Sequence, residues 1–244
     1  IQMGLKVVIL CGGLGSRLAE ETKIIPKPLV RIGKYPILYH VMNIYSKYGH
    51  NEFVLALGYK GKMIKEYFIK NKIEEKKKWK IKFCFTGLKT LTGTRIKKLS
   101  KHLKKEKNFF CTYGDGLSNI NINKLLKTHL KSGKISTLTA VHPPARFGEI
   151  YLKNRIVKKF IEKPQIHSNW INGGFFVFKS AFIKYIKNKN VMLEREPIQS
   201  LIKLNQLGSY KHHSFWQCMD TLRDKNLLNE ICKKNKVAPW EEII

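Results

Sequence analysis

Aspartate is the scarcest charged residue in this 244-residue chain, with copies only at positions 115, 220 and 224. Acidic residues number 17 against 47 lysines and arginines, which leaves a formal net charge of +30. Such an imbalance invites a nucleic-acid reading, but only seven of the 47 are arginines. The lysines are spread along the whole chain among many Ile and Asn residues, and the densest cluster, Glu74-Glu75-Lys76-Lys77-Lys78, carries acids of its own. Lysine, isoleucine and asparagine share A/T-rich codons, so base composition explains the bias and no specific nucleic-acid partner is expected. Charge alone supplies a weak, salt-sensitive affinity for DNA.

Other absences narrow the field further. No apolar run approaches the roughly 20 residues that span a bilayer. The N-terminus lacks the three regions of a signal peptide, so a cytoplasmic protein with no membrane partner is expected. The five cysteines share no C-x-x-C spacing, which excludes a zinc site or disulfide framework read from spacing. The eight histidines show no ligand spacing, and no Ser-His-Asp or Cys-His arrangement is found. With no repeat, low-complexity tract or Pro/Ser-rich linker, residues 1–244 read as a single domain able to bury a good core. Its two halves divide near 5–142 and 143–240.

What is present begins with VVILCGGLGSRL. Val7 to Leu10 is a β-branched apolar run, as in a strand buried on both faces. Gly12, Gly13 and Gly15 then strip side chains from the following turn, so that backbone N–H groups of Gly12 to Ser16 can point at one anion. Arg17 adds a cationic fork suited to phosphate. The dinucleotide fingerprint fails for want of a third glycine in place, and the Walker loop fails for want of a lysine. An ordinary strand–helix turn remains an alternative on the glycines alone.

Further along, strand-like runs alternate with helical patterns. Strands are expected at Phe53–Leu57, Trp79–Phe85, Phe109–Thr112 and Ser136–Val141. Helices are expected at Pro36–Tyr48, Lys62–Lys70 and Asn123–Leu130. This alternation predicts an α/β fold with a mainly parallel sheet flanked by helices. From Gly148 the runs Glu149–Leu152, Ile156–Ile161 and Asn172–Phe178 are strands with little helix between them, a β-rich antiparallel or mixed extension. Helices at Pro197–Leu204 and Thr221–Lys234 close the chain. In open α/β sheets ligands bind beyond the carboxyl ends of the strands, where the glycine loop should lie.

Phe109-Phe110-Cys111-Thr112-Tyr113-Gly114-Asp115-Gly116 runs a buried strand into an aspartate flanked by glycines. A carboxylate there suits Mg²⁺, which takes one or two carboxylates plus substrate phosphates; a plain D-G turn is the alternative. Asp220 ends the run Phe215-Trp216-Gln217-Cys218-Met219 and is either a second ligand or a helix N-cap. Glu162-Lys163-Pro164 offers a carboxylate for hydroxyls and an ammonium for phosphate. Asn172-Gly173-Gly174 sets an amide beside glycines that let a ligand approach the backbone.

Taken in serial order, these stretches resemble the sugar-nucleotide pyrophosphorylases, a nucleotidyltransferase family. The likeness runs from Val7 to Trp240. It is strongest to the glucose-1-phosphate cytidylyltransferase branch, whose GGLGTRL, KPKP, MTGGR, TYGDG, PPGRFG, INGGFFV, GFWQPMDTLRDK and APW read here as GGLGSRL, IPKP, LTGTR, TYGDG, PPARFG, INGGFFV, SFWQCMDTLRDK and APW. The resemblance implies a Rossmann-like fold of the nucleotide-diphospho-sugar transferase type. The reaction it implies joins CTP and glucose 1-phosphate into CDP-glucose and pyrophosphate, with Mg²⁺ as cofactor. A homo-oligomer and a role in nucleotide-sugar supply for lipopolysaccharide or capsule come with it.

Residue by residue, the resemblance places Leu10, Gly12, Gly13, Gly15, Ser16, Arg17, Lys27, Gly93, Thr94, Arg95 and Asp115 at the nucleotide, with Arg95 donating to cytosine O2. Gly148, Glu162, Lys163, Asn172 and Gly173 fall at the sugar phosphate. Asp115 and Asp220 hold the metal, and Arg17, Lys27 and Lys163 are the catalytic cations. Departures from the branch pattern are Thr94 for glycine, Ala145 for glycine, Cys218 for proline, and a short connection between Lys70 and Thr86.

Overall fold

The computed structural model describes residues 4–143, 148–161 and 169–242. Strands β1 (Val7–Cys11), β2 (Arg31–Ile32), β3 (Tyr35–Pro36), β4 (Glu52–Leu57), β5 (Lys80–Phe85), β6 (Asn108–Tyr113) and β7 (Gly116–Ser118) occupy the first half. In the second half come β8 (Ser136–Val141), β9 (Glu149–Lys153), β10 (Ile156–Ile161), β11 (Ile171–Lys179), β12 (Leu207–His212) and β13 (Trp216–Cys218). The helices are α1 (Ala19–Thr22), α2 (Ile37–Ser46), α3 (Gly61–Lys70), α4 (Ile73–Lys77), α5 (Thr92–Lys98) and α6 (Ser100–Leu103), followed by α7 (Ile122–Ser132), α8 (Glu196–Lys203) and α9 (Leu222–Lys234).

Seven strands form one mixed sheet in the order β12-β8-β11-β6-β1-β4-β5. β1 pairs in parallel with β4 and β6, as do β4 with β5 and β8 with β12. Only β11 runs against its neighbours, β6 and β8. The expected mainly parallel α/β sheet is therefore present. All five residues of β1 are buried because helices cover both sheet faces. Val7, Ile9 and Cys11 join one core with α2, α3, α7 and α9. Val8 and Leu10 join the other with α5, α6 and α8. That split is the two-residue side-chain period of a strand.

Two expectations need correction. The run from Asn172 to Phe178 does not belong to a separate extension: as β11 it fills the middle of the main sheet, with Phe176 and Phe178 facing one core and Phe175 and Val177 the other. Of the three runs from Gly148 on, only β9 and β10 stay apart, as a hairpin, and it leaves Ile150, Tyr151, Leu152, Ile156, Val157 and Phe160 exposed. β12 was not anticipated. It is an edge strand of partly exposed residues, so its sequence carries no strong apolar alternation.

Candidate active site

Parallel strands β1 and β6 both end at one side of the sheet, and the two loops that leave them face each other. The short antiparallel pair of β13 with β7 then brings a third loop alongside, with Cys218 opposite Gly116 and Met219 N–H donating to the Asp115 carbonyl at 2.8 Å. This backbone clasp sets Asp115 and Asp220 side by side although 105 positions separate them in the numbering of the chain. Asp220 is not the helix cap: Thr221 caps α9 and forms a reciprocal capping box with Asp224. The Asp220 carboxylate is left for the cleft.

The cleft has a volume of about 480 Å³ and is lined on one side by Gly12 to Arg17, Lys27, Asp115 and Asp220. Lys27 is the hub. Its ammonium donates to Asp115 Oδ2 at 2.7 Å and to Asp220 Oδ1 at 3.0 Å, while Arg17 pairs with the other oxygen of Asp220. Burial opposes the charge on Lys27, but Asp115 and Asp220 more than offset it and hold its pKa above the ordinary lysine range. Arg17 projects outward, with its side chain 77% exposed. In the loop, Gly15 alone among Gly12, Gly13 and Gly15 adopts a left-handed φ, of 67°. There a Cβ would also lie 2.7 Å from the Thr22 methyl. Among the described residues Gly13 and Leu14 donate their amides to no acceptor, so these donors are available to an anion.

Two carboxylates that converge on one cation are the donor set a hard divalent ion completes with phosphate oxygens. No group of three or more His, Cys, Asp or Glu side chains suited to a metal occurs among the described residues. The residues therefore fit an ion that arrives with phosphate ligands. Cys218, next to the pair, stays a thiol: burial and the negative charge of Asp115 push it up to about 11.

The opposite side of the cleft has no carboxylate among its lining residues, and its cations are Lys89 and Arg95. Leu10, Leu88 to Thr92, Arg95, Tyr113 and Met192 line it. Here Arg95, Gly93 and Thr94 are already engaged by other partners. Arg95 lines the cleft but is 3% exposed, and its guanidinium donates to the carbonyls of Leu57 at 3.1 Å, Gly87 at 2.9 Å and Gly12 at 2.9 Å. It ties the glycine loop to the end of β4 and to the 87–88 turn. Gly12 must be glycine for this, since a Cβ would sit 2.2 Å from the guanidinium carbon.

Gly93 and Thr94 are likewise engaged. Their amides donate to the Val191 carbonyl at 3.1 and 3.2 Å, and the Thr94 hydroxyl donates to Lys189 O at 3.0 Å. The departure from glycine at 94 thus meets the 189–191 segment, and Thr94 is not among the residues that line the cleft.

Tyr113, though inside the TYGDG stretch, and Glu194 are not among the site residues expected from the sequence. The Tyr113 hydroxyl donates to Glu194 Oε1, whose other oxygen accepts from Thr92 at 3.0 Å. Burial and the neighbouring Glu194 carboxylate raise the Tyr113 pKa, so it stays a donor. Asn172 lies against this pair and accepts from the Gly174 amide at 2.9 Å. The Gly173 carbonyl accepts from Trp216 Nε1 at 2.8 Å. Gly148 precedes the β9–β10 hairpin. Glu162 and Lys163 lie outside the described residues.

The family model described as nucleotidyl transferase matches residues 6–218. The chain belongs to the nucleotidyl transferase family. A glucose-1-phosphate cytidylyltransferase of Salmonella typhimurium is 41% identical over 97% of this chain and 99% of its own. A probable glucose-1-phosphate cytidylyltransferase of Bacillus subtilis is 42% identical, covering 92% and 94% of the two chains. Mannose-1-phosphate guanylyltransferase catalytic subunit beta of Xenopus tropicalis is 30% identical, with 93% of this chain matching 64% of that protein.

Among solved structures, HddC of Yersinia pseudotuberculosis superposes with a TM-score of 0.72 at 24% identity, covering 93% and 98%. A UDP-glucose pyrophosphorylase complexed with UDP-glucose gives 0.72 at 15%, covering 95% and 99%. These two bear on the fold alone, and they agree with the mixed sheet described above. Among the described residues no helix is long and apolar enough to cross a membrane.

Proposed function

We propose that this nucleotidyl transferase uses CTP and glucose 1-phosphate to make CDP-glucose and pyrophosphate, with Mg²⁺ as its ion. The observation that carries the chemistry is the convergence of Arg17, Lys27, Asp115 and Asp220 beside the open amides of the glycine loop. The choice of substrates is supported by relatives of that name at 41% and 42% identity.

The chemistry asks little proton transfer of the protein. A sugar phosphate has a second pKa near ~6 and is already an anionic nucleophile at neutral pH. One of its oxygens bonds to the α-phosphorus as the bond to the β-phosphoryl oxygen breaks, and pyrophosphate leaves with that electron pair. Two polyanions must meet in line, so positioning and charge neutralisation dominate. Amides of Gly13 to Ser16 with Arg17 and Lys27 hold the triphosphate. When bound by Asp115 and Asp220, Mg²⁺ adds Lewis-acid neutralisation at the α-phosphate. Lys163 is assigned to the sugar phosphate, and Glu162, Asn172 and Gly173 to sugar hydroxyls, on the sequence motifs. Cytosine presents an N4 donor and an N3 acceptor. Backbone groups of Leu10 to Gly12 and of Leu88 to Thr92 offer partners of both kinds.

Pyrophosphate release across a matrix of nucleoside triphosphates and sugar 1-phosphates tests this. CTP with glucose 1-phosphate should exceed UTP by about tenfold to a hundredfold in kcat/KM, the worth of one unpaired buried polar group at roughly 1–3 kcal/mol. Equal or better use of UTP or dTTP contradicts the cytidylyl assignment. No release with any pair contradicts the reaction.

A further inference from the structure

The charges on the phosphate side of the cleft cancel among themselves. Asp115 and Asp220 bring two negative charges, Lys27 and Arg17 two positive, and all four are linked through ion pairs. Lys27 is the most enclosed of them, with its side chain 13% exposed against 77% for Arg17. Its ammonium occupies the position between the two carboxylates that a divalent ion would need.

Two physical facts make that position contested. A site of two carboxylates is weak for Mg²⁺, which dehydrates reluctantly and counts on phosphate oxygens to complete its shell. A cation expelled from a buried pair must also find a new anion, because a partly buried ammonium without a partner is costly. A bound triphosphate meets both needs at once, offering oxygens to the ion and to Lys27.

We infer that Lys27 is the internal counterion of the Asp115–Asp220 pair and changes partner during the cycle: it holds the two carboxylates in the free enzyme and the triphosphate in the complex. The divalent ion therefore enters with the nucleotide and is shut out before it. The idea rests on the nucleotidyl-transfer reading of this site but not on which nucleotide is used. It assigns Lys27 a task beyond gripping phosphate, namely keeping the metal site closed while no substrate is present.

The test uses Mn²⁺ alone as probe, with free ion counted by electron paramagnetic resonance, and a CTP analogue carrying a methylene between the α- and β-phosphorus. Wild-type protein should bind Mn²⁺ at least ~10-fold more weakly without the analogue than with it, a coupling of ordinary size. Lys27→Met, with no analogue present, should bind Mn²⁺ ~10-fold or more tightly than wild type. Asp115→Asn in the Lys27→Met background should abolish that gain. Equal or weaker Mn²⁺ binding by Lys27→Met overturns the inference, and so does a gain that survives Asp115→Asn.

Melting gives a second readout: Mg²⁺ without nucleotide should raise the Tm of Lys27→Met and leave wild type unmoved. Lys27→Gln carries the same two expectations should Lys27→Met fail to fold. The nucleotide-free arms stand apart from the choice of substrate. If the protein proves to prefer another triphosphate, the Lys27→Met gain should still appear.

Discussion

The two sides of the cleft are built from different materials. On the phosphate side, Arg17, Lys27, Asp115 and Asp220 are bound to one another, so the ligand must exchange partners with charges already in place. On the opposite side, Lys89 and Arg95 are the cations among the lining residues, and Arg95 is spent on the carbonyls of Gly12, Leu57 and Gly87. The remaining surface is apolar side chain, backbone and the side chains of Thr90, Thr92 and Tyr113. The contrast teaches a division of labour. On the proposed reaction the side that holds the carboxylates would set the rate, because charge develops at the α-phosphorus, and the opposite side would set the choice of nucleotide through shape and single hydrogen bonds.

The largest expected effect is on the carboxylate side. Asp115→Asn or Asp220→Asn should cut turnover by at least ~10²-fold, as when one preorganised charge contact is lost. Circular dichroism should stay native, since neither carboxylate caps a helix or enters a core. Near-normal pyrophosphate release by both variants with Mg²⁺ present would erase the distinction between the sides.

Arg95 is the next way to break the comparison. Arg95→Met removes a donor from the carbonyls of Gly12, Leu57 and Gly87. Leu57 keeps Thr86 and Gly12 keeps the Tyr59 amide, so the Gly87 carbonyl is the one left short, at roughly 1–3 kcal/mol for an unsatisfied group. For a domain of this size that lowers Tm by at least about 2–4 °C per kcal/mol. Thermal melting decides the matter: an unchanged Tm with altered CTP-over-UTP preference would return Arg95 to the role of base reader.

Much of this site was legible because charged chemistry leaves charged letters. Three aspartates in a chain of this charge made Asp115 and Asp220 conspicuous, and three glycines after a β-branched run drew notice to the turn although an ordinary strand–helix turn stayed open. Arg95 was harder to read for the converse reason. One arginine beside glycines reads alike whether it faces a ligand or a ring of carbonyls, and only the tertiary approach of β4 and the glycine loop decides. Leu88 to Leu91, Met192 and Glu194 carried no pattern, because a base is recognised by groups that every loop possesses.

The sheet shows the same limit. Strands flanked by helices announced themselves by apolar period, but the insertion of β11 between β6 and β8 is a topological fact that no local pattern encodes. The partly exposed edge strand β12 gave no alternation to read.

A smaller effect belongs to the scaffold behind both sides. His129 is fully buried between Thr137 and Asn108, and burial lowers its pKa from 6.5 to about 4. His50 is lowered to about 4 by the same cause. Because the unfolded chain takes up protons at these sites below about pH 6.5 while the folded chain resists until about 4, stability is full above that window and falls as pH drops through it. Melting temperatures at pH 7, 6 and 5 should decline in order. A flat series means that the buried histidines are charged in the folded protein after all.

The smallest effect should come from Thr94→Gly. Its hydroxyl bonds to the 189–191 segment, so the change should cost roughly 0.3 kcal/mol of helix propensity plus about 1 kcal/mol for the lost hydroxyl bonds, and leave the CTP-over-UTP ratio within about threefold. A larger swing in that ratio would mean that position 94 acts on the base through the backbone of α5.

Steady-state kcat/KM for CTP and for UTP, measured in wild type and in Asp220→Asn with glucose 1-phosphate saturating, tests the division of labour most directly. The account predicts that both values fall together by at least ~10²-fold while their ratio stays within about threefold of wild type. A ratio that collapses toward one, or a fall confined to one nucleotide, would contradict it.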